Sequence, residues 1–112
     1  MEFQQKQIWL INFDPAFGHE FQKTRPGLII ENNFYIPKFE LLTIIPISSK
    51  IDNLYILDVL IPKTKQNRLM KDSILKVKQI NSFDKRRFIK FIGICEEDTF
   101  EQVKKNISDF LK

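Results

Sequence analysis

Apolar residues fall in short clusters set apart by polar, proline or asparagine positions, and all but the last of these clusters are too short to be helices. The first spans Gln7 to Phe13, with Ile8, Trp9, Leu10, Ile11 and Phe13, and a second runs from Gly27 to Glu31 before Asn32-Asn33 turns the chain. Leu41 to Ile47 is rich in β-branched residues, and Leu54 to Ile61 is bounded by Asn53 and Pro62; both predict central strands. Ser73 to Ile80 alternates, which places Ile74, Lys76, Lys78 and Ile80 on one face and Leu75, Val77 and Gln79 on the other, so this strand would present lysines. Asp84 to Arg87 suits a short helical turn capped by Asp84, and Phe88 to Cys95 reads as a strand ending at Glu96. In the last segment Phe100, Val103, Ile107, Phe110 and Leu111 share one stripe, while Glu96, Glu97 and Asp98 sit where a helix dipole favours negative charge. A succession of short curved strands closed by one terminal helix implies a small α+β barrel. No repeat, linker or low-complexity stretch interrupts it.

Length narrows the picture. A chain of 112 residues predicts one domain over residues 1–112, which buries roughly 65% of its unfolded surface and needs no disulfide or metal to fold. The single cysteine, Cys95, permits no internal disulfide, and one Cys with one His cannot supply the four N or S ligands of a structural zinc site. A Cys/His metal centre is therefore excluded, although a loosely held magnesium is not. With no apolar stretch of about 18 residues and no basic-then-apolar leader, the expected location is the cytoplasm, without membrane contact.

Charge adds a partner class. The formal charge is +4, from 18 basic and 14 acidic residues, and basic residues cluster at Lys63, Lys65, Arg68 and Lys71, at Lys76 and Lys78, and from Lys85 to Lys90. A positive field attracts polyanions, so nucleic acid or an acidic protein segment is the partner to expect.

Candidate chemistry is densest between the first two strands. From Gly18 to Arg25 lie His19, Glu20, Gln22, Lys23, Thr24 and Arg25, and Pro15 and Pro26 hold the residues before them, Asp14 and Arg25, in extended conformations. Arg25 is thereby aimed. The same prolines also suit an ordinary hairpin loop, so spacing alone leaves both readings open.

These residues carry a resemblance. Ile8-Trp9-Leu10-Ile11-Asn12-Phe13-Asp14-Pro15, then Gly18-His19-Glu20, then Thr24-Arg25-Pro26-Gly27-Leu28-Ile29-Ile30 resemble the opening of the MazF/PemK family of bacterial toxin endoribonucleases. Ile45-Pro46-Ile47-Ser48-Ser49 is similar to the family's strand ending in a hydroxyl pair, Asp72-Ser73-Ile74 to Gln79-Ile80 to its "DSV…QI" strand, and Phe83-Asp84-Lys85-Arg86-Arg87 to its "IDKxRL" turn. The resemblance implies a small, strongly curved antiparallel β-barrel of the Src-homology-like type shared with the gyrase poison CcdB, with a C-terminal helix. It also implies a homodimer, neutralised by a small antitoxin with an acidic, disordered tail. The implied activity is metal-independent cleavage of single-stranded RNA, without a cofactor, leaving a 2′,3′-cyclic phosphate and a 5′-hydroxyl.

Such cleavage needs a base for the ribose 2′-hydroxyl, stabilisation of phosphorane charge, and a proton for the leaving 5′ oxygen. Arg25 offers a permanently charged fork for the phosphate oxygens, against the alternative of a surface pair with Glu20 or Asp14. His19 has the side chain suited to proton transfer near neutrality, or it is a hydrogen-bonding spacer. Ser48 matches the hydroxyl that works with the loop arginine, where threonine is usual, or it closes the turn before Lys50. RNA contacts are expected from Glu20, Gln22, Ser49, Lys76, Lys78 and Gln79. Phe17 and Phe21 either stack on bases or join the core. Two positions depart from the family pattern: Lys78 replaces an acidic residue and Asn81 an arginine, so Lys78 would grip phosphate instead. A gyrase poison on the same barrel, or an RNA-binding barrel that has lost catalysis, are the alternatives.

Overall fold

The computed structural model describes residues 2–13, 24–52 and 54–112. Phe17, His19, Glu20, Phe21 and Gln22 lie outside them. Seven antiparallel strands and one helix follow in order: β1 Gln7–Asn12, β2 Thr24–Ile29, β3 Leu41–Ser48, β4 Val59–Ile61, β5 Ser73–Leu75, β6 Asn81–Asp84, β7 Phe88–Ile94 and α1 Glu97–Phe110. The sheet runs β4-β5-β3-β2-β1-β7, with β6 also on β3. It is strongly curved but open: β4 and β7 are its ends, and the backbone bond from Ile94 N to Gln66 O (3.1 Å) joins the β4–β5 connection to β7. That connection completes the barrel-like wall that the sequence predicts.

Strand alternation builds two cores from one sheet. Ile8, Leu28, Ile45 and Ile47 point to a core shared with Val59, Ile61, Leu75 and the helix residues Phe100 and Val103. Their neighbours Trp9, Ile29 and Ile44 point the other way, to a cluster with Ile11, Leu42 and Phe88. Because both faces are covered, β1 to β3 read as nearly continuous apolar runs, as strands buried on two sides do. The second core is aromatic. Phe3 lies 4.8 Å from Trp9 and 5.2 Å from Phe88, ring centre to ring centre, in tilted and edge-on arrangements, each worth about 0.5–1.5 kcal/mol beyond the area buried. Trp9 Nε1 donates to Gln7 Oε1 at 2.8 Å, so the indole proton is satisfied.

The structure departs from the pattern where polar side chains capture the backbone. The 73–80 stretch is a strand only to Leu75; a 3₁₀ turn, Val77–Gln79, replaces the rest. Pro46 explains this. β5 pairs Ile47 and Ser48, and β6 pairs Leu41 to Ile44, so the chain between them crosses the part of β3 that holds Pro46, which cannot donate to a ladder. The carbonyl of Pro46 instead accepts from Lys76 N at 2.9 Å, and the following residues turn. The 54–61 stretch likewise shortens to Val59–Ile61, because the Asp58 carboxylate accepts from Tyr55 N (2.9 Å) while Asp58 N donates to Tyr55 O (2.9 Å), closing a turn. Strand β6, with Thr43 and Ser82 hydroxyls paired at 2.7 Å across it, was not expected. The Asp84 cap is present, its carboxylate accepting from Arg86 N at 2.8 Å. On α1 the apolar stripe is buried at Phe100 and Val103 and half-buried at Ile107, whereas Phe110 and Leu111 remain exposed.

One glycine is required by close approach. A Cβ at Gly93 would run into the backbone carbonyls of Asn67 and Gln66, so the connection seats directly on β7 there. Gly93→Ala is therefore expected to destabilise the fold by about 1–3 kcal/mol; an unchanged urea midpoint would contradict this seating.

Candidate functional site

The register of β2 and β3 fixes the site. Gly27 pairs Pro46, Leu28 pairs Ile45 and Ile29 pairs Ile44; beyond these pairs β2 reaches back to Thr24 and β3 on to Ser48, and Arg25 and Ser48 line one cavity. Strand β2 begins earlier than the apolar pattern suggests, at Thr24, and pairs with β1 down to Thr24 opposite Asn12. Its first residues project past the ladder with β3, so the missing N–H of Pro26 breaks no bond on that side. Arg25, exposed, is thus carried on a paired strand rather than on a free loop.

Around this point opens a cavity of about 810 Å³. Its apolar lining is the uncovered end of the first core: Leu10, Pro26, Ile47, Leu69 and Ile92, with Phe91 and Met70 beside them. Thr24, Ser48, Ser49 and Ser73 contribute hydroxyls. The cations are Arg25, Lys50, Arg68, Lys71 and Lys90, and among the described residues no carboxylate lines it. Like charges gathered in one concavity focus a positive potential there and favour a polyanion. Ser48 Oγ accepts from Lys50 N at 3.1 Å, so the turn reading of this serine holds, and Ser48 also lines the cavity.

Two irregularities aim the β7 wall. The pairing of β1 with β7 slips between Ile8 and Trp9 and again between Leu10 and Ile11. These bulges fall at Ile92 and Ile89, and the residues Lys90 to Ile92 all line the cavity, which is how bulges re-aim side chains beside a site.

The 63–71 connection forms another wall, and buried Asn67 holds it. Its Nδ2 donates to Pro62 O (2.9 Å) and Glu96 Oε1 (3.1 Å), and its Oδ1 accepts from Thr64 N and Leu69 N, both at 3.0 Å. Asn67 N donates back to Thr64 Oγ1 at 3.0 Å. With these bonds made, the fully buried side chain is satisfied and the turn presents Arg68, Met70 and Lys71.

Of the residues singled out from the sequence, Arg25, Ser48 and Ser49 meet in this cavity. His19, Glu20 and Gln22 lie outside the described residues. Lys76, Lys78 and Gln79 do not line it. The alternation that would have presented the two lysines side by side ends at Leu75, and Lys76 turns inward: its ammonium is 2.7 Å from Asp58 Oδ2 and 4.6 Å from the centre of the Tyr55 ring, with both charged side chains largely buried. Lys78 and Gln79 are exposed on the 3₁₀ turn, with the Lys78 ammonium 5.6 Å from the Phe110 ring centre. Sequence reasoning missed Lys50, Lys71, Lys90 and Arg68 as site residues; the 63–71 and 85–90 basic clusters were visible, but only as charge. No group of three or more His, Cys, Asp or Glu side chains comes together among the described residues to hold a metal. The buried Cys95 thiol is pushed up to about 12 by desolvation and by Glu96, Asp98 and Glu97 nearby, so it is no nucleophile at neutral pH.

A small, strongly curved antiparallel sheet with a terminal helix, bearing an arginine and a strand-end hydroxyl in a cationic cavity, is the architecture of a class of compact toxins. The family model for the PemK-like, MazF-like toxin of type II toxin-antitoxin systems matches residues 4–111, and the chain belongs to that family. It is 29% identical over 92 residues to Endoribonuclease MazF9 of Mycobacterium tuberculosis, covering 78% of this chain and 77% of that protein. Its fold is similar to that of MazF from Deinococcus radiodurans (TM-score 0.80, 21% identity, 99% of this chain and 97% of that one). It is also similar in fold to an endoribonuclease solved in complex with its cognate antitoxin from a mycobacterial species (TM-score 0.77, 14% identity, 98% of this chain and 95% of that one).

Breaking the Lys76–Asp58 pair leaves a carboxylate that is 2% exposed without its countercharge. Lys76→Met is therefore expected to cost about 3–5 kcal/mol of stability, read by chemical denaturation; a variant as stable as the parent would show that Lys76 is available for other work.

Proposed function

We propose that this chain is a toxin endoribonuclease that cuts single-stranded RNA, including messenger RNA, in a sequence-selective way and thereby blocks translation and growth. The observation that supports this reading is that Arg25 and Ser48 line one cavity together with several cations and no described carboxylate. Family membership agrees with it.

In this reading the RNA backbone enters the cavity with the scissile phosphate at Arg25. The ribose 2′-hydroxyl attacks the adjacent phosphorus, its proton passing to a base, and the phosphorane that forms carries added negative charge on its non-bridging oxygens. The Arg25 guanidinium meets two of those oxygens with two parallel N–H donors and remains charged throughout, so it stabilises the transition state more than the ground state. Ser48 donates its hydroxyl proton to the same phosphate or to the leaving oxygen, and Ser49 binds the flanking backbone. The 5′ oxygen leaves with a proton, giving a 2′,3′-cyclic phosphate and a 5′-hydroxyl. His19 assists proton transfer, and Glu20 and Gln22 read bases from the neighbouring loop. Phe91 offers an apolar face for a base. Lys78 and Gln79 contact nucleotides beyond the cavity. No step requires a metal, so cleavage should persist in chelator.

The same cations fit a second partner at another time: the acidic segment of a small antitoxin, which would neutralise the toxin by occupying the site. The toxin works as a homodimer in the cytoplasm.

Single-turnover cleavage of a short RNA tests the assignment. Arg25→Ala should slow it roughly 100-fold or more with the fold intact, and Ser48→Thr should keep or raise it. If His19 is the base, the rate should rise with pH through about 6 to 7, because only neutral imidazole accepts a proton, and His19→Ala should erase the rise. An Arg25→Ala rate equal to the parent's would contradict the reading.

A further inference from the structure

Arg68 stands in a backbone conformation that arginine seldom adopts. Its φ is +56°, in the left-handed region where glycine and asparagine are at ease and longer side chains are strained. The turn that imposes this is rigid: Arg68 N donates to Thr64 O at 2.9 Å, the residue before it is the fully buried Asn67, and the residue after it, Leu69, is buried with its N–H on the Asn67 side chain. Gly93 lets the turn seat on β7 without a gap. Everything that fixes the turn is backbone or belongs to a neighbour. The Arg68 side chain is exposed and makes no hydrogen bond or ion pair with any described residue, so the fold draws nothing from the guanidinium it carries. What the position does supply is direction, because Arg68 lines the same cavity as Arg25 and Ser48. Strained backbone held by a well-determined surround is a mark of functional positions.

Resting on the reading of this cavity as an RNA-cleaving site, we propose that Arg68 is a second phosphate-binding arginine, gripping the RNA backbone at a phosphate other than the one held by Arg25. A cavity of 810 Å³ lies toward the upper end of the range of about 300–1,000 Å³ typical of small-molecule sites, and its cations come from four separate segments of the chain. A single phosphate at Arg25 would leave the 63–71 wall unused. A strand carrying several phosphates occupies both walls, and a guanidinium in a fixed turn selects the path of that strand by a two-donor contact that lysine cannot reproduce. Strain at Arg68 is then retained for binding rather than for stability.

The test uses the full chain and a fluorescently labelled pool of short, random-sequence 2′-O-methyl RNA, which lacks the nucleophile and is not cut. Affinity is followed by anisotropy across a NaCl titration, beside thermal unfolding of each variant. Arg68→Gly relieves the left-handed strain, so its melting temperature should equal or exceed the parent's while its affinity falls roughly tenfold or more. The slope of log affinity against log salt should become shallower by about 0.7, the loss of one phosphate contact on a single strand. Arg68→Lys should keep the slope but not the full affinity. An Arg68→Gly variant with the parent's affinity and slope overturns the proposal, and so does one whose lost affinity tracks a lowered melting temperature. A parent protein that cuts RNA while Arg68→Gly behaves like it defeats the role of Arg68 alone; a parent that neither binds the pool nor cuts RNA defeats the cavity reading as well.

Discussion

The pairing of β2 with β3 is the constraint from which the site follows. Three residue pairs set the register, and a slip of one residue would move every side chain of β2 to the other face. Both faces are buried, with Leu28 in one core and Ile29 in the other, so the slip is forbidden from two sides at once. Arg25, carried on a strand paired with β1, is placed more tightly than a loop would place it. That placement rests on the two hydrophobic cores beneath the sheet.

Electrostatics gives the cavity a preference for anions. Arg25, Lys50, Arg68, Lys71 and Lys90 face one space without a described carboxylate between them, whereas elsewhere the chain pairs its charges freely: Lys6 with Glu97, Arg86 with Asp84, Lys104 with Glu101 and Lys105 with Asp109. Mutual repulsion among these cations is relieved by a polyanion, and the apolar lining beneath lowers the screening that water would provide. In the proposed reading, RNA and an acidic antitoxin segment would compete for this one feature, and inhibition would need no separate site.

How much of this was legible in the sequence depended on which force fixed each element. Strands β1, β2, β3 and β7 and the helix were readable because burial dictates them, and apolar periodicity reports burial. The 54–58 and 76–80 segments were not, because there polar groups decide: the Asp58 carboxylate captures a turn and binds Lys76, and Pro46 on a distant strand denies β5 its continuation. Neither effect leaves a periodic trace. Arg25 could be singled out because Pro26 fixes its backbone, and Ser48 and Ser49 because they resemble the hydroxyl pair that ends a strand in the MazF/PemK family. Arg68 could not, since its significance lies in a backbone angle set by Asn67 and Gly93, and in sequence it looked like one more member of a basic cluster.

The central claim is that one cavity, where β2 begins and β3 ends, receives single-stranded RNA. Backbone amide shifts in an NMR titration of the full chain with uncleavable 2′-O-methyl RNA test it most directly. The account predicts the largest shifts at Thr24, Arg25 and Gly27, at Ser48 to Lys50, at Arg68 to Lys71 and at Lys90 to Ile92, with α1 and the exposed Phe34 to Phe39 surface little changed. Shifts concentrated on α1 or on Phe34 to Phe39, with the cavity amides silent, would contradict it.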